Sequence, residues 1–235
     1  MRLLLISNST NAGESYLQHA KEQIKSFLGE NHFQALFIPY AGITLSYEDY
    51  ETKVKDSFNE TGHDIRSIHY YSNPVEAIEA ADVIIVGGGN TFRLLQLLHS
   101  NNLIEPVRRK VMAGIPYIGW SAGANVACPT ICTTNDMPVV HPDSFKSFNL
   151  VPFQINPHYL DTNPAGHAGE TREMRIEEFI KLNTGVYVAG LREGTMFLIE
   201  NSNIQLLGTR NVRIFKYGQS PLEVRPGNDL QFLMH

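Results

Sequence analysis

The stretch Pro116-Tyr-Ile-Gly-Trp-Ser121-Ala-Gly-Ala-Asn125 is an apolar run that breaks at a serine fenced by Gly119 and Gly123, then continues in small residues suited to a helix. A buried parallel strand that turns directly into a helix must bend sharply, and glycines give the bend the room it needs. G-x-S-x-G at such a turn is the pattern of a nucleophile elbow, which holds the serine hydroxyl out at the carboxyl end of a sheet beside helix N-terminal amides. Ser121 also suits a plain N-cap for a helix from Ala122 to Ala127, and the motif alone does not separate the two readings.

Outward from the elbow, the first half of the chain alternates apolar runs with amphipathic stretches, the pattern of a parallel sheet with helices on its faces. Arg2 to Ile6 predicts a strand, and Leu17, Ala20, Ile24, Phe27 and Leu28 recur at helical spacing until Gly29. Ala35 to Ile38 predicts the next strand, and Tyr47, Tyr50, Val54 and Phe58 form one stripe of a helix running to Gly62. Ser67 to Tyr71 predicts a weak strand and Asn73-Pro74 the cap of a short helix. Asp82 to Val86 predicts a buried strand that leads into Gly87-Gly-Gly-Asn90 and two helices, Thr91 to His99 and Leu103 to Met112.

After the elbow, residues 129–168 are proline-punctuated with little periodicity, and irregular stretches that long are usually functional or disordered. Glu170 to Leu182 predicts a helix. Val186 to Leu191, Thr195 to Glu200, Ile204 to Leu207 and Val212 to Tyr217 predict short strands of an antiparallel extension. The expected fold is α/β, a mostly parallel sheet between helical layers with that C-terminal antiparallel extension, in one domain over residues 1–235.

Of the 235 residues 43% are hydrophobic and 18% charged, which fits one full-sized core. Lys plus Arg number 19 against 24 acids, a net charge of −5 with no basic stripe, so nucleic acid is not an expected partner. The apolar runs are short, and no basic segment leads into a long apolar one at the N-terminus. Neither a membrane span nor a signal peptide is expected, and the predicted location is cytoplasmic. Cys128 and Cys132 are not spaced as CxxC and have no second pair, so two free thiols are expected.

A serine nucleophile needs a base, an orienting acid and donors for the oxyanion. His19, His63 and His99 read as exposed helix or turn residues, whereas His158 in Asn156-Pro-His158 follows the strand-like Val151 to Ile155 and so stands at a strand end, as Ser121 does. Two acids compete for the third role, Asp136 after the elbow helix and Glu193 at a later strand end. The glycine run between a buried strand and a helix offers amides at Gly88 and Gly89, with that of Ala122, as oxyanion donors, and Asn90 beside them as a substrate contact. A phosphate cradle there is the weaker reading, because neither GxGxxG nor a Gly-Lys-Ser/Thr ending is present. A zinc site on His158, His167 and Glu170 is disfavoured by the missing HExxH and by Pro164 between the histidines, so no metal and no cofactor are expected.

Seven ordered motifs now bear on the family: Leu4 to Thr10, Ile38 to Gly42, Gly87 to Phe92, Ile118 to Asn125, Thr133 to Pro138, Asn156 to His158 and Gly169 to Glu173. Together they resemble the peptidase E family of bacterial α-aspartyl dipeptidases. The resemblance implies a cytoplasmic serine peptidase that cleaves dipeptides with N-terminal aspartate, on a three-layer α/β/α fold akin to flavodoxin and the class I glutamine amidotransferases. It implies Ser121 as nucleophile and His158 as base, and it keeps both Asp136 and Glu193 in matching motifs. Arg192 stands where the family pattern has a proline. A strand end holds a carboxylate more rigidly than a proline-flanked loop, which favours Glu193 and leaves Asp136 a supporting or substrate-amine role. Arg172, at the start of the helix after His158, is the expected partner of the substrate's side-chain carboxylate. The expected partner is thus a small dipeptide, on a monomer or small homo-oligomer. The rival readings are a hydrolase of the same fold acting on β-linked aspartyl peptides and a non-catalytic small-molecule-binding module.

Overall fold

The structure is a computed structural model that describes the chain except residues 31, 59–62, 164–165 and 167. In chain order the strands are β1 (Arg2–Ile6), β2 (Gln34–Ile38), β3 (Asp64–Ser67), β4 (Val83–Val86), β5 (Pro116–Trp120), β6 (Gln154–Pro157), β7 (Val188–Leu191), β8 (Thr195–Glu200), β9 (Asn203–Gly208), β10 (Val212–Phe215) and β11 (Leu222–Val224). The helices are α1 (Lys21–Leu28), α2 (Tyr47–Phe58), α3 (Pro74–Ala80), α4 (Thr91–Ser100), α5 (Ile104–Met112), α6 (Ala122–Asn125) and α7 (Arg172–Leu182).

The main sheet has the order β3-β2-β4-β5-β1-β8-β9. Its first five strands are parallel, and β8 and β9 continue it antiparallel. Side chains alternate across it. Leu4, Ile6, Phe37, Ile85 and Trp120 meet α1 and α2 on one face, while Leu3, Leu5, Leu36, Ile84 and Tyr117 meet α3 to α6 on the other. Burial on both faces is the reason the parallel strands read as continuous apolar runs.

A second sheet, ordered β11-β10-β7-β6, shares a core with Leu3, Leu5, Phe197 and Ile199 of the first through Ile155, Ala189 and Ile214, and carries α7, whose Ile176 and Ile180 pack with Tyr159, Val188 and Phe215. This corrects the expected single antiparallel extension: only β8 and β9 extend the main sheet, whereas β7 and β10 belong elsewhere, and β7 pairs parallel with β6. The irregular stretch 129–168 therefore contains a strand, β6, and an isolated bridge between Thr130 and Lys146. The strand expected at Ser67 to Tyr71 lies earlier. Its parallel register begins at Gln34 opposite Asp64, and Ile68–Tyr70 winds into a 3-10 turn. The elbow helix is shorter than expected, ending at Asn125 rather than Ala127, and α7 begins at Arg172 rather than Glu170. Gly62, the expected stop of α2, lies outside the described residues.

No helix among the described residues is long and apolar enough to cross a membrane. Cys128 is buried and Cys132 exposed, both free, and burial pushes the Cys128 thiol up to about 12, so it stays protonated and inert.

Candidate active site

Ser121 follows β5 with φ 53° and ψ −111°, a left-handed backbone that a non-glycine residue adopts only under constraint, at a cost of about 1–3 kcal/mol. The two fencing glycines are required by close approach. A Cβ on Gly119 would lie 2.4 Å from the Gly123 carbonyl oxygen, and one on Gly123 only 2.1 Å from that of Val86. The Ser121 amide donates to the Ile6 carbonyl at 3.0 Å, tying the elbow to β1.

His158 and Glu193 arrive from the second sheet. Parallel pairing places Pro157 beside Leu191, and the next residues of both strands leave the sheet together. His158 Nδ1 then lies 2.8 Å from Glu193 Oε1 and His158 Nε2 lies 2.9 Å from Ser121 Oγ. A carboxylate can only accept, so Nδ1 carries the proton, and the Nε2 lone pair faces a serine hydroxyl that donates to it. His158 and Glu193 are each roughly two-fifths exposed at the side chain (39% and 43%), which leaves the cluster open to a ligand.

The second acid goes elsewhere. Asp136 Oδ2 accepts from the Thr91 amide at 2.7 Å and the Thr91 hydroxyl at 2.6 Å, so it serves the N-terminus of α4 and makes no bond to His158. Asn90 is the N-cap of that helix. Its Oδ1 accepts from Arg93 and its amide donates to the Met137 carbonyl, so most of the hydrogen-bonding capacity expected for a ligand is used inside the protein. Arg172 is half-buried and has no ion pair or hydrogen bond among the described residues. Burial lowers its pKa first, the neighbouring Arg175 lowers it further, and Asp136 opposes both.

Gly88 abuts the elbow so closely that a Cβ there would meet the Ser121 Cβ at 3.0 Å. Among the described residues no backbone carbonyl accepts from the amides of Gly88, Gly89 or Ala122, which therefore stay available beside the serine. No group of three or more His, Cys, Asp or Glu side chains among the described residues gathers as a metal site, and His167 lies outside them.

Three supporting residues have roles that spacing alone does not reveal. Ser7, buried at the end of β1, donates to the Leu191 carbonyl at 2.7 Å and accepts from the His158 amide at 3.0 Å, bridging both arms of the cluster. Asn8 accepts from the Gly194 amide at 2.8 Å and holds the turn after Glu193. Arg192 is buried, with its guanidinium on Asp161, Glu223 and the Asn211 carbonyl, so it ties the segment after His158 to that before Glu193. His19, expected on an exposed face, has a side chain only 6% exposed, and burial lowers its pKa.

Residues 3–207 match the sequence profile of Peptidase family S51. The chain belongs to this family. The S51 chain is 50% identical over 233 residues to Peptidase E of Nostoc sp., covering 99% of this chain and 96% of that protein. It is 45% identical to Peptidase E of Streptomyces coelicolor, across 100% and 95% of the two chains, and 44% identical to Peptidase E of Salmonella newport, across 97% and 99%. Solved structures share the fold of this S51 peptidase. A peptidase from an acI-B1 Actinobacterium superposes with a TM-score of 0.71 at 20% identity, covering 97% and 95% of the two chains. A putative peptidase E protein from Listeria monocytogenes EGD-e gives 0.66 at 22%, covering 88% and 98%. Membership makes the chain a peptidase, and the three-layer α/β/α fold is that of the family.

Proposed function

We propose that the protein is a serine-type dipeptidase that hydrolyses Asp-X through an acyl-enzyme on Ser121. The observation that carries this reading is the line Glu193, His158, Ser121, with contacts of 2.8 and 2.9 Å ending on a serine in a strained turn. His158 Nε2 takes the Ser121 proton as Oγ adds to the aspartyl carbonyl carbon, and Glu193 stabilises the imidazolium that forms. The amides of Ala122 and of Gly88 or Gly89 receive the oxyanion. Collapse of the tetrahedral species breaks the C–N bond, and His158 gives its proton to the departing amine of X. Water then adds to the ester with His158 as base, releasing aspartate and restoring the serine hydroxyl.

Specificity rests on Arg172 and Asp136. The guanidinium has no hydrogen bond or ion pair among the described residues and takes the substrate's side-chain carboxylate, while Asp136, in whose field it lies, attracts the substrate's ammonium. With a net charge of −5, the attraction for an acidic side chain has to be local. The same reading takes residues 1–235 as one cytoplasmic catalytic domain, monomeric or a small homo-oligomer, working without cofactor or metal.

The test is turnover of Asp-Leu, its β-linked isomer and Asn-Leu by the purified protein. Preference for Asp-Leu over both supports the proposal. Preference for the β-linked isomer replaces it with the β-aspartyl reading, and turnover of none leaves a binding module.

A further inference from the structure

The cleft over Ser121 has a second charged wall that the mechanism leaves unused. Tyr16, Ile43, Leu45 and Lys53 border the same depression, of about 510 Å³, as Ser121 and His158. Arg172 and Asp136 are outside it, the latter at the N-terminus of α4. A peptide bond held at Ser121 has one residue on each side of it. If the aspartyl residue faces Arg172, the residue after it enters the depression.

Lys53 is unusual among its neighbours. Lys55, on the same helix, pairs with Glu51 at 3.2 Å, whereas Lys53 has no carboxylate partner among the described residues. Its ammonium lies 4.2 Å from the centroid of the Tyr16 ring. That ring is fixed in turn, since Tyr16 and Tyr50 join hydroxyls at 3.2 Å and Tyr50 donates to the Gly88 carbonyl at 2.9 Å. An unpaired cation is thereby tied through two phenols to the glycine turn beside the serine. On the same wall Ile43 and Leu45 are 56% and 39% exposed, large apolar side chains that water covers in the free protein.

A cation and an apolar pair in one depression match the two features of a C-terminal residue, a free carboxylate and a side chain. We propose that Lys53 recognises the C-terminal carboxylate of the leaving residue, and that Ile43 and Leu45 receive its side chain. This deepens the Asp-X reading and rests on it. The substrate class becomes dipeptides with an apolar second residue and a free carboxyl terminus. A longer peptide presents a neutral amide where Lys53 expects a charge, so the ammonium selects for length as well as sequence.

The experiment compares kcat/KM for Asp-Leu and for Asp-Leu amide in the wild-type protein and in Lys53→Met, which keeps the stem and removes the charge. The ratio of acid to amide falls by about tenfold in the variant, mainly through the KM of the acid. Comparing the two ratios cancels the different reactivity of the two leaving amines. Lys53→Arg keeps a cation at the site and retains most of the wild-type ratio. An equal ratio in wild type and Lys53→Met, with both proteins folded by circular dichroism, overturns the assignment while the dipeptidase reading stands. Failure of the wild-type protein to cleave either peptide overturns both.

Discussion

Pro157 of β6 lies beside Leu191 of β7 in parallel register, and this pairing brings His158 to Glu193. The pair is far apart in sequence, so no local pattern announces it. Under the proposed mechanism Glu193→Gln keeps the size of the side chain but not its charge, and kcat for Asp-Leu falls by up to about 10⁴. Asp136→Asn acts on Thr91 and on the substrate's amine, so it raises KM more than it lowers kcat. Steady-state kinetics of both variants decide the matter. A large kcat loss in Asp136→Asn with a mild one in Glu193→Gln reverses the assignment.

Arg172 is half-buried and makes no hydrogen bond or ion pair among the described residues, with only the field of Asp136 favouring its charge. Arg172→Met removes the cation with little change in volume. The preference for Asp-Leu over Asn-Leu in kcat/KM then falls by about tenfold or more, the scale of one lost charge-assisted bond. An unchanged preference places the carboxylate's partner elsewhere.

Gly123 shows how little room the elbow has, because an added Cβ would press on the Val86 carbonyl oxygen at 2.1 Å. Gly123→Ala lowers stability by about 1–3 kcal/mol through backbone displacement and reduces turnover with it. Gly185→Ala, where a Cβ meets nothing within 4 Å, is the control and changes stability by about 0.5 kcal/mol at most. Urea unfolding of both proteins checks the contrast.

Hydrogen bonds from Arg192 hold the carboxyls of Asp161 and Glu223 below their usual range. Both folded-state values are depressed, so the stability they confer is present above the unfolded carboxylate pKa, about 4, and is lost as pH falls through the folded values. Arg192→Met leaves Asp161 without its hydrogen-bonded cation, while Glu223 keeps Arg213 at 3.0 Å. The loss is about 2 kcal/mol at neutral pH, below the cost of breaking a fully buried pair because Asp161 and Glu223 are partly exposed (48% and 35%). The gap between wild type and variant in urea unfolding narrows as pH falls below about 4. A gap that stays constant over that range shows that the cluster is not the source of acid sensitivity.

The core of the fold was legible because the central strands are buried on both faces. Leu3 to Ile6, Val83 to Val86 and Pro116 to Trp120 carry that burial as unbroken apolar runs. The elbow was legible for a related reason: Gly119 and Gly123 are where backbones touch. The destinations of the C-terminal strands were not legible, since alternation marks a strand without naming its partner, and β7 joins β6 across the thirty intervening residues rather than β8. Ser7 lies in the Leu4 to Thr10 motif, but its role was not legible there. A buried serine at a strand end looks like any other until the His158 amide and the Leu191 carbonyl are seen to meet on its hydroxyl.

The most direct test of the account is turnover of Asp-Leu by Ser121→Ala. The substitution removes one oxygen, and alanine leaves the packing of the elbow unfilled by nothing larger than that atom, so the fold is retained and circular dichroism and the urea midpoint stay near wild type. The account predicts that kcat falls by about 10⁶, the scale of losing a nucleophile from a working triad. Turnover within tenfold of wild type in the purified variant, with contaminating peptidase excluded, contradicts it.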